Sequence, residues 1–225
     1  MVADRRPAIG RWLGALALGL LVVGPAGAAV ERPHSLAFKT GYHVYPASSY
    51  FSDFSQRNGI GGASEFRGQS LELFDYTYQW NPRWGLNLSW FNGYYQKYAS
   101  DENFQQSLFT YYTTITPVYS IRGTGLVGEW TVYAGAGVGR YGLVLRFDGS
   151  TSSDEFNNNT LGYQTIIGAE YRYSDQVGFL IEGKYARARM GFGRDLEGDS
   201  PSPALRALRI DLGGQNLLVG VRIHF

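Results

Sequence analysis

The sequence predicts an all-β fold: an eight-stranded antiparallel transmembrane up-and-down β-barrel. Three observations carry this prediction. Long segments alternate apolar and polar residues with period two, and helical periodicity is nearly absent. The connectors between these segments alternate between short and long. Charged residues fall on the face opposite the large apolar ones.

Residues 1–28 stand outside the pattern and read as a signal peptide, leaving 29–225 as the outer-membrane β-barrel domain. "MVADRRPAIGR" carries Arg5, Arg6 and Arg11. "WLGALALGLLVVG" follows as an apolar run of about thirteen residues, the length of a signal-peptide core and too short to span a bilayer. Pro25 breaks the run, and "AGA" at Ala26–Ala28 supplies the small residues of a cleavage site after Ala28.

The 225-residue chain has 20 Lys and Arg against 19 Asp and Glu, a balance that argues against bulk nucleic-acid binding. It has no cysteine, which excludes a disulfide framework, a thiol nucleophile and a lipoprotein anchor. An exported chain without disulfides needs another source of stability, and a closed hydrogen-bonded sheet in a membrane is one. Mean hydropathy is slightly negative, as expected when apolar residues take only alternate positions.

The first strand, Ser35–Tyr45, sets Leu36, Phe38, Tyr42 and Val44 opposite Ser35, Ala37, Lys39, Gly41 and His43. The second and third, Gln69–Trp80 and Trp84–Lys97, are joined by the short Asn81-Pro82-Arg83. The fourth and fifth, Ser107–Arg122 and Trp130–Phe147, are joined by "GTGLVGE". The fifth contains "TVYAGAGVGRYG", with Gly135, Gly137 and Gly139 at alternate positions. No helix follows and the spacing is not that of a phosphate-binding loop, so these glycines read as room for long side chains from neighbouring strands.

The sixth strand, Leu161–Tyr173, sets Tyr163, Ile167 and Tyr171 opposite Gln164, Glu170 and Arg172. Ser174-Asp175 joins it to the seventh, Gln176–Phe192, where Phe179, Ile181 and Tyr185 oppose Glu182 and Lys184. The eighth, Ile210–Phe225, ends in "NLLVGVRIHF": Leu217, Val219, Val221, Ile223 and Phe225 oppose Arg222 and His224. Every segment reaches the roughly 9–11 residues that a tilted strand needs to cross hydrocarbon. The remaining connectors are long and polar, among them "DGSTSSDEFNNNT", read as a solvated loop. Short turns on the periplasmic side and long loops outside are the layout of an outer-membrane barrel.

The same alternation suits a soluble lipocalin-like ligand-binding barrel, with the apolar face inside. The aromatics weigh against it. Trp80, Trp84, Trp130, Tyr173 and Phe225 collect at the level of the short turns, as a girdle at a membrane–water interface does. With the apolar face outward, Lys39, Glu170, Arg172, Glu182, Lys184 and Arg222 form an interior charge network. Eight strands enclose a space that side chains can fill, and unpaired buried charges are costly. The network therefore either plugs the barrel or lines a narrow polar passage.

Together, the leader, the eight strands, "YAGAGVGRYG" and the terminal "LLVGVRIHF" resemble small outer-membrane β-barrel proteins of Gram-negative bacteria, in the manner of the OmpW and OmpX/OmpA-transmembrane groups. In such proteins an aromatic-ended last strand is read by the barrel assembly machinery of the outer membrane. The resemblance implies that Leu217, Val219, Gly220, Val221, Ile223 and Phe225 form this assembly signal. It implies two roles for the barrel: a porin-like passive route for small molecules, or a structural barrel whose loops act at the cell surface. Arg57, Arg67, Arg194, Arg206 and Arg209 lie toward the outer rim and would hold lipopolysaccharide phosphates.

A lipid A-modifying outer-membrane enzyme is the alternative in a different class. It needs a His–Ser pair near the outer leaflet, oriented by a carboxylate. Only His43 lies near that rim, with Ser48 and Ser49 in the loop beyond, and the His-x-Ser-Asn pattern of such deacylases is missing. The expectation is a protein that is not an enzyme, with no catalytic residues. No cofactor is expected, and no metal, since no His/Asp/Glu set has ligand spacing.

Overall fold

A computed structural model of the chain describes residues 31–44, 67–98, 104–125, 128–149, 153–191 and 209–225. Its strands in chain order are β1 (His34–Val44), β2 (Arg67–Gln79), β3 (Trp84–Tyr98), β4 (Phe104–Gly125), β5 (Gly128–Gly149), β6 (Ser153–Arg172), β7 (Val177–Arg187), β8 (Arg189–Gly191), β9 (Arg209–Asp211) and β10 (Gly214–His224). Eight of them close into an antiparallel barrel in the order β1-β10-β7-β6-β5-β4-β3-β2, and β8 and β9 pair separately. Closure matters because it leaves no sheet edge where the wall is complete, which is the condition for crossing hydrocarbon with strands. β1 meets β10 from Ser35↔His224 to Val44↔Gln215.

The packing is inverted relative to a soluble barrel. Outward-facing Phe38, Val138, Ile167, Phe179, Ile181, Leu217, Val219 and Ile223 are all exposed, Ile167 to 64%. The buried set is largely polar: Lys39, Glu72, Asp75, Asn87, Thr114, Thr116, Gln164, Glu170, Glu182, Lys184 and Arg222. In water the apolar exterior would be a severe liability. Against acyl chains that face meets no water, and most of the buried polar groups satisfy one another.

Two turns close the short-turn end through side chains. Asn81 Oδ1 accepts from the N–H groups of Arg83 and Trp84 at 2.8 and 2.9 Å, and Ser174 Oγ accepts from Val177 N–H at 3.1 Å. These are Asx- and Ser-type turns, which these residues form readily. His34 and Phe225 exchange backbone hydrogen bonds at the same end.

Three expected strand boundaries are corrected. The sixth strand starts at Ser153 rather than Leu161, so most of "DGSTSSDEFNNNT" is strand and not loop. Its residues pair with β5 from Asp148↔Ser153 onward, and that pairing supplies backbone partners regardless of side-chain polarity. The expected seventh strand, Gln176–Phe192, is interrupted at Ala188 and resumes as β8. The eighth is interrupted at Leu212-Gly213, so the expected Ile210–Phe225 divides into β9 and β10. Asp211 sits at both breaks: its Oδ1 accepts from the N–H groups of Ala188 and Gly213, each at 3.0 Å, while the pairs on either side, Ala186↔Gly214 and Arg189↔Asp211, keep one register.

The wall is uneven. β4 and β5 run for 22 residues and β6 for 20, whereas β1, β7 and β10 have 11 each. The long strands are about twice what a membrane crossing requires; at the long-loop end β3–β6 stay paired as far as Tyr98↔Gln105 and Asp148↔Ser153, beyond the last β6–β7 pair, Tyr163↔Arg187.

Candidate functional site: an ionic layer across the barrel interior

The interior is organised around Lys39. Its ammonium lies 2.6 Å from Glu72 Oε2, 2.7 Å from Asp75 Oδ2 and 2.8 Å from Glu182 Oε1, and the side chain is wholly buried. A second ammonium, on Lys184, lies 2.5 Å from Glu72 Oε1 and 3.3 Å from Glu182 Oε1. Glu72, Asp75 and Glu182 bring carboxylate oxygens within 4.8 Å of one another, close enough to hold a cation. The two lysines supply the positive charge there.

Neutral donors use the remaining lone pairs. Tyr112 donates to Glu72 at 2.6 Å, Tyr133 donates to Glu182 at 2.7 Å, and Asn87 donates to Asp75 at 2.8 Å. Lys39 comes from β1, the acids from β2 and β7, Asn87 from β3, Tyr112 from β4 and Tyr133 from β5. The layer therefore ties most of the circumference together through its centre.

A second centre lies nearer the short-turn end. Arg222 Nη1 donates to Glu170 Oε2 at 2.9 Å, and His224 Nε2 lies 2.5 Å from Glu170 Oε1. Arg172 reaches the other ring nitrogen of His224 at 3.2 Å. Arg222 lies over the Tyr133 ring at 5.0 Å, with Asp75 3.9 Å from its Nη2, so the two centres adjoin.

Sequence reasoning placed Lys39, Glu170, Arg172, Glu182, Lys184 and Arg222 on the interior, and the structure puts all six on the inward face. It distributes them between two centres rather than one. Glu72 and Asp75 were missed. They sit three apart in "ELFD", which strict alternation would put on opposite faces. β2 carries a bulge there: Leu73 and Phe74 are both exposed, and the register to β1 and β3 shifts by one residue. The extra residue turns both carboxylates inward. His224 as a partner of Glu170 was also missed, although its place on the Arg222 face was a signal.

Glycines give the long side chains their room. A Cβ at Gly137 would lie 2.2 Å from Ile115 O and 2.4 Å from Thr116 Oγ1. Across this strip, Gln164 Nε2 of β6 reaches Thr114 and Thr116 of β4 at 2.9 and 2.8 Å. Gly220, expected in the assembly signal, faces inward; a Cβ there would lie 2.7 Å from Lys39 Cγ. Leu217, Val219, Val221, Ile223 and Phe225 form an outward, exposed row on β10.

At the short-turn end Trp84 meets Tyr119 at 5.1 Å, Trp130 meets Tyr171 at 4.9 Å and Tyr173 meets Phe179 at 6.0 Å. Trp84, Trp130 and Tyr173 are exposed and Trp80 is half-buried. Arg57, Arg194 and Arg206 lie outside the described residues. Arg67 and Arg209 open β2 and β9 at the long-loop end, and their side chains are likewise outside the description. His43 is buried and hydrogen-bonded to Asn216, while Ser48 and Ser49 are outside the described residues.

A closed eight-stranded antiparallel wall with an apolar exterior and an ionic interior defines the fold of the small outer-membrane β-barrels. Two solved structures share it. Neisserial surface protein A matches with a TM-score of 0.52 at 13% identity, over 85% of this chain and 96% of that one. Ail, the attachment invasion locus protein of Yersinia pestis, solved with the heparin analogue sucrose octasulfate, matches with a TM-score of 0.51 at 14% identity, over 85% of this chain and 98% of that one. No protein-family model and no curated protein matches the chain.

Proposed function

We propose that the protein is an integral outer-membrane barrel with a sealed interior, serving as a rigid support for surface-exposed segments rather than as a route for solutes. The observation that carries this is the ionic layer, in which fully buried Lys39 touches three carboxylates from two strands. A passage would need mobile, hydrated charges. Here the buried charges are held in direct contact with opposite charges, and the cavity beneath them measures only about 20 Å3, room for roughly one water.

The uneven wall supports the surface role. β3–β6 continue beyond the end of β7 at the long-loop end, and interaction surfaces commonly sit on such extensions of a rigid scaffold. The basic residues Arg57, Arg67, Arg194, Arg206 and Arg209 are proposed to meet polyanionic saccharide, lipopolysaccharide phosphates first. Ail was solved with a sulfated sugar analogue, which fits that chemistry without assigning it here. No enzymatic role is proposed, and the outward row of β10 is proposed as the segment read by the assembly machinery.

Electrical recording of the folded protein in a planar lipid bilayer tests the sealed interior. The expected result is a bilayer that stays insulating at moderate voltage. Steady, reproducible unitary conductance would overturn the reading in favour of a passive route.

A further inference from the structure

Beneath the ionic layer, the cavity of about 20 Å3 lies at the short-turn mouth. Its charged lining is Arg122, Arg172, Arg222, Glu170 and His224: three guanidinium groups against a single carboxylate. That carboxylate is committed, with one oxygen to Arg222 Nη1 at 2.9 Å and the other to His224 Nε2 at 2.5 Å. Arg122 is held at the entrance by Gln79 Oε1 at 2.8 Å. The nearest acid of the adjoining layer is Asp75, 3.9 Å from Arg222 Nη2, and its oxygens already accept from Lys39 and Asn87.

After these bonds are made, Nε of Arg222 and Nε of Arg172 are buried donors with no hydrogen-bond partner among the described residues. The Arg222 side chain is only 8% exposed. A buried guanidinium N–H without an acceptor is expensive, and such groups in native proteins are met by water or by an ion. Two features favour an anion. The lining has an excess of positive charge. The orphaned groups can only donate, so a species that only accepts suits them better than water, which must also place its own hydrogens. A cavity of about 20 Å3 has room for roughly one small species.

We propose that the short-turn mouth is a binding site for a halide-sized monovalent anion, physiologically chloride, held by the Nε–H groups of Arg172 and Arg222. The site does not depend on whether the barrel conducts.

Diffraction from crystals of the folded barrel grown in bromide, measured at the bromine absorption edge, tests this directly. The expected result is an anomalous peak in the cavity beside Arg172 and Arg222, lost in Arg172→Gln. A wild-type cavity with no anomalous peak, or with bromide only on the outer surface, overturns the proposal. If Arg172→Gln does not fold, a second measurement on the wild-type protein stands alone. Its thermal midpoint should rise saturably with chloride when gluconate holds ionic strength constant, and a flat series overturns the proposal.

Discussion

Lys39 shows why single residues in this interior are so tightly constrained. Desolvating an ammonium costs several kcal/mol, and only close, hydrogen-bonded counter-charges offset that cost. Lys39 has three, at 2.6–2.8 Å. Replacing it with methionine keeps most of the volume but leaves Glu72, Asp75 and Glu182 with Lys184 as the only ammonium among them. Lys39→Met is expected to lower unfolding free energy by about 3–5 kcal/mol, read from urea titration of the protein folded into lipid vesicles. Lys39→Met combined with Glu182→Gln should cost less than the sum of the two single changes, by about 0.5–3 kcal/mol. Strict additivity would mean that the two side chains do not interact. Lys39, Glu182 and Lys184 were legible as interior residues because their strands alternate without interruption near them. The identity of their partners was not, because register between distant strands is a property of closure and not of local pattern.

The strands show what a period-two reading captures and where it fails. β7 and the barrel part of β10 keep strict alternation, so their faces follow from sequence alone. β2 does not, because one extra residue at Leu73-Phe74 shifts the phase. Deleting Phe74 would leave Glu72 and Asp75 still on one face, now by plain alternation. That deletion variant is expected to fold, retaining heat-modifiable gel mobility and a buried Glu72; loss of folding would show that the bulge's added bend is itself required. The outer half of β6 reads as loop for a different reason. Asn157, Asn158 and Asn159 are common turn residues, and a strand standing beyond the membrane has no need of an apolar face. The interruptions at Ala188 and at Leu212-Gly213 are absent from the pattern because apolar residues continue through Met190 and Ile210, while hydrogen bonds to Asp211 mark the break. No sequence period reports such a contact.

For the molecule as a whole, stability and location are the same statement. The outer wall offers Phe38, Ile167, Phe179, Leu217 and Val221 to its surroundings, while ion pairs and hydroxyls fill the centre. The hydrophobic effect cannot hold such an interior together, since there is little apolar core to bury. The closed backbone ladder and the paired charges do so instead, and both are strongest where water is excluded. The fold class and the facing of the sheet were therefore readable from alternation, strand length and the aromatic band. The function was less so, because Arg57, Arg194 and Arg206 fall in stretches of sequence with no periodic signal.

The most direct test of that account is spin-label accessibility in lipid vesicles along β10. Nitroxides placed singly at Leu217, Val219, Val221 and Ile223 should collide readily with dissolved oxygen and scarcely with a water-soluble nickel chelate, with oxygen accessibility greatest toward the bilayer centre. Labels at these positions that instead meet the nickel chelate freely, with no dependence on depth, would contradict the account.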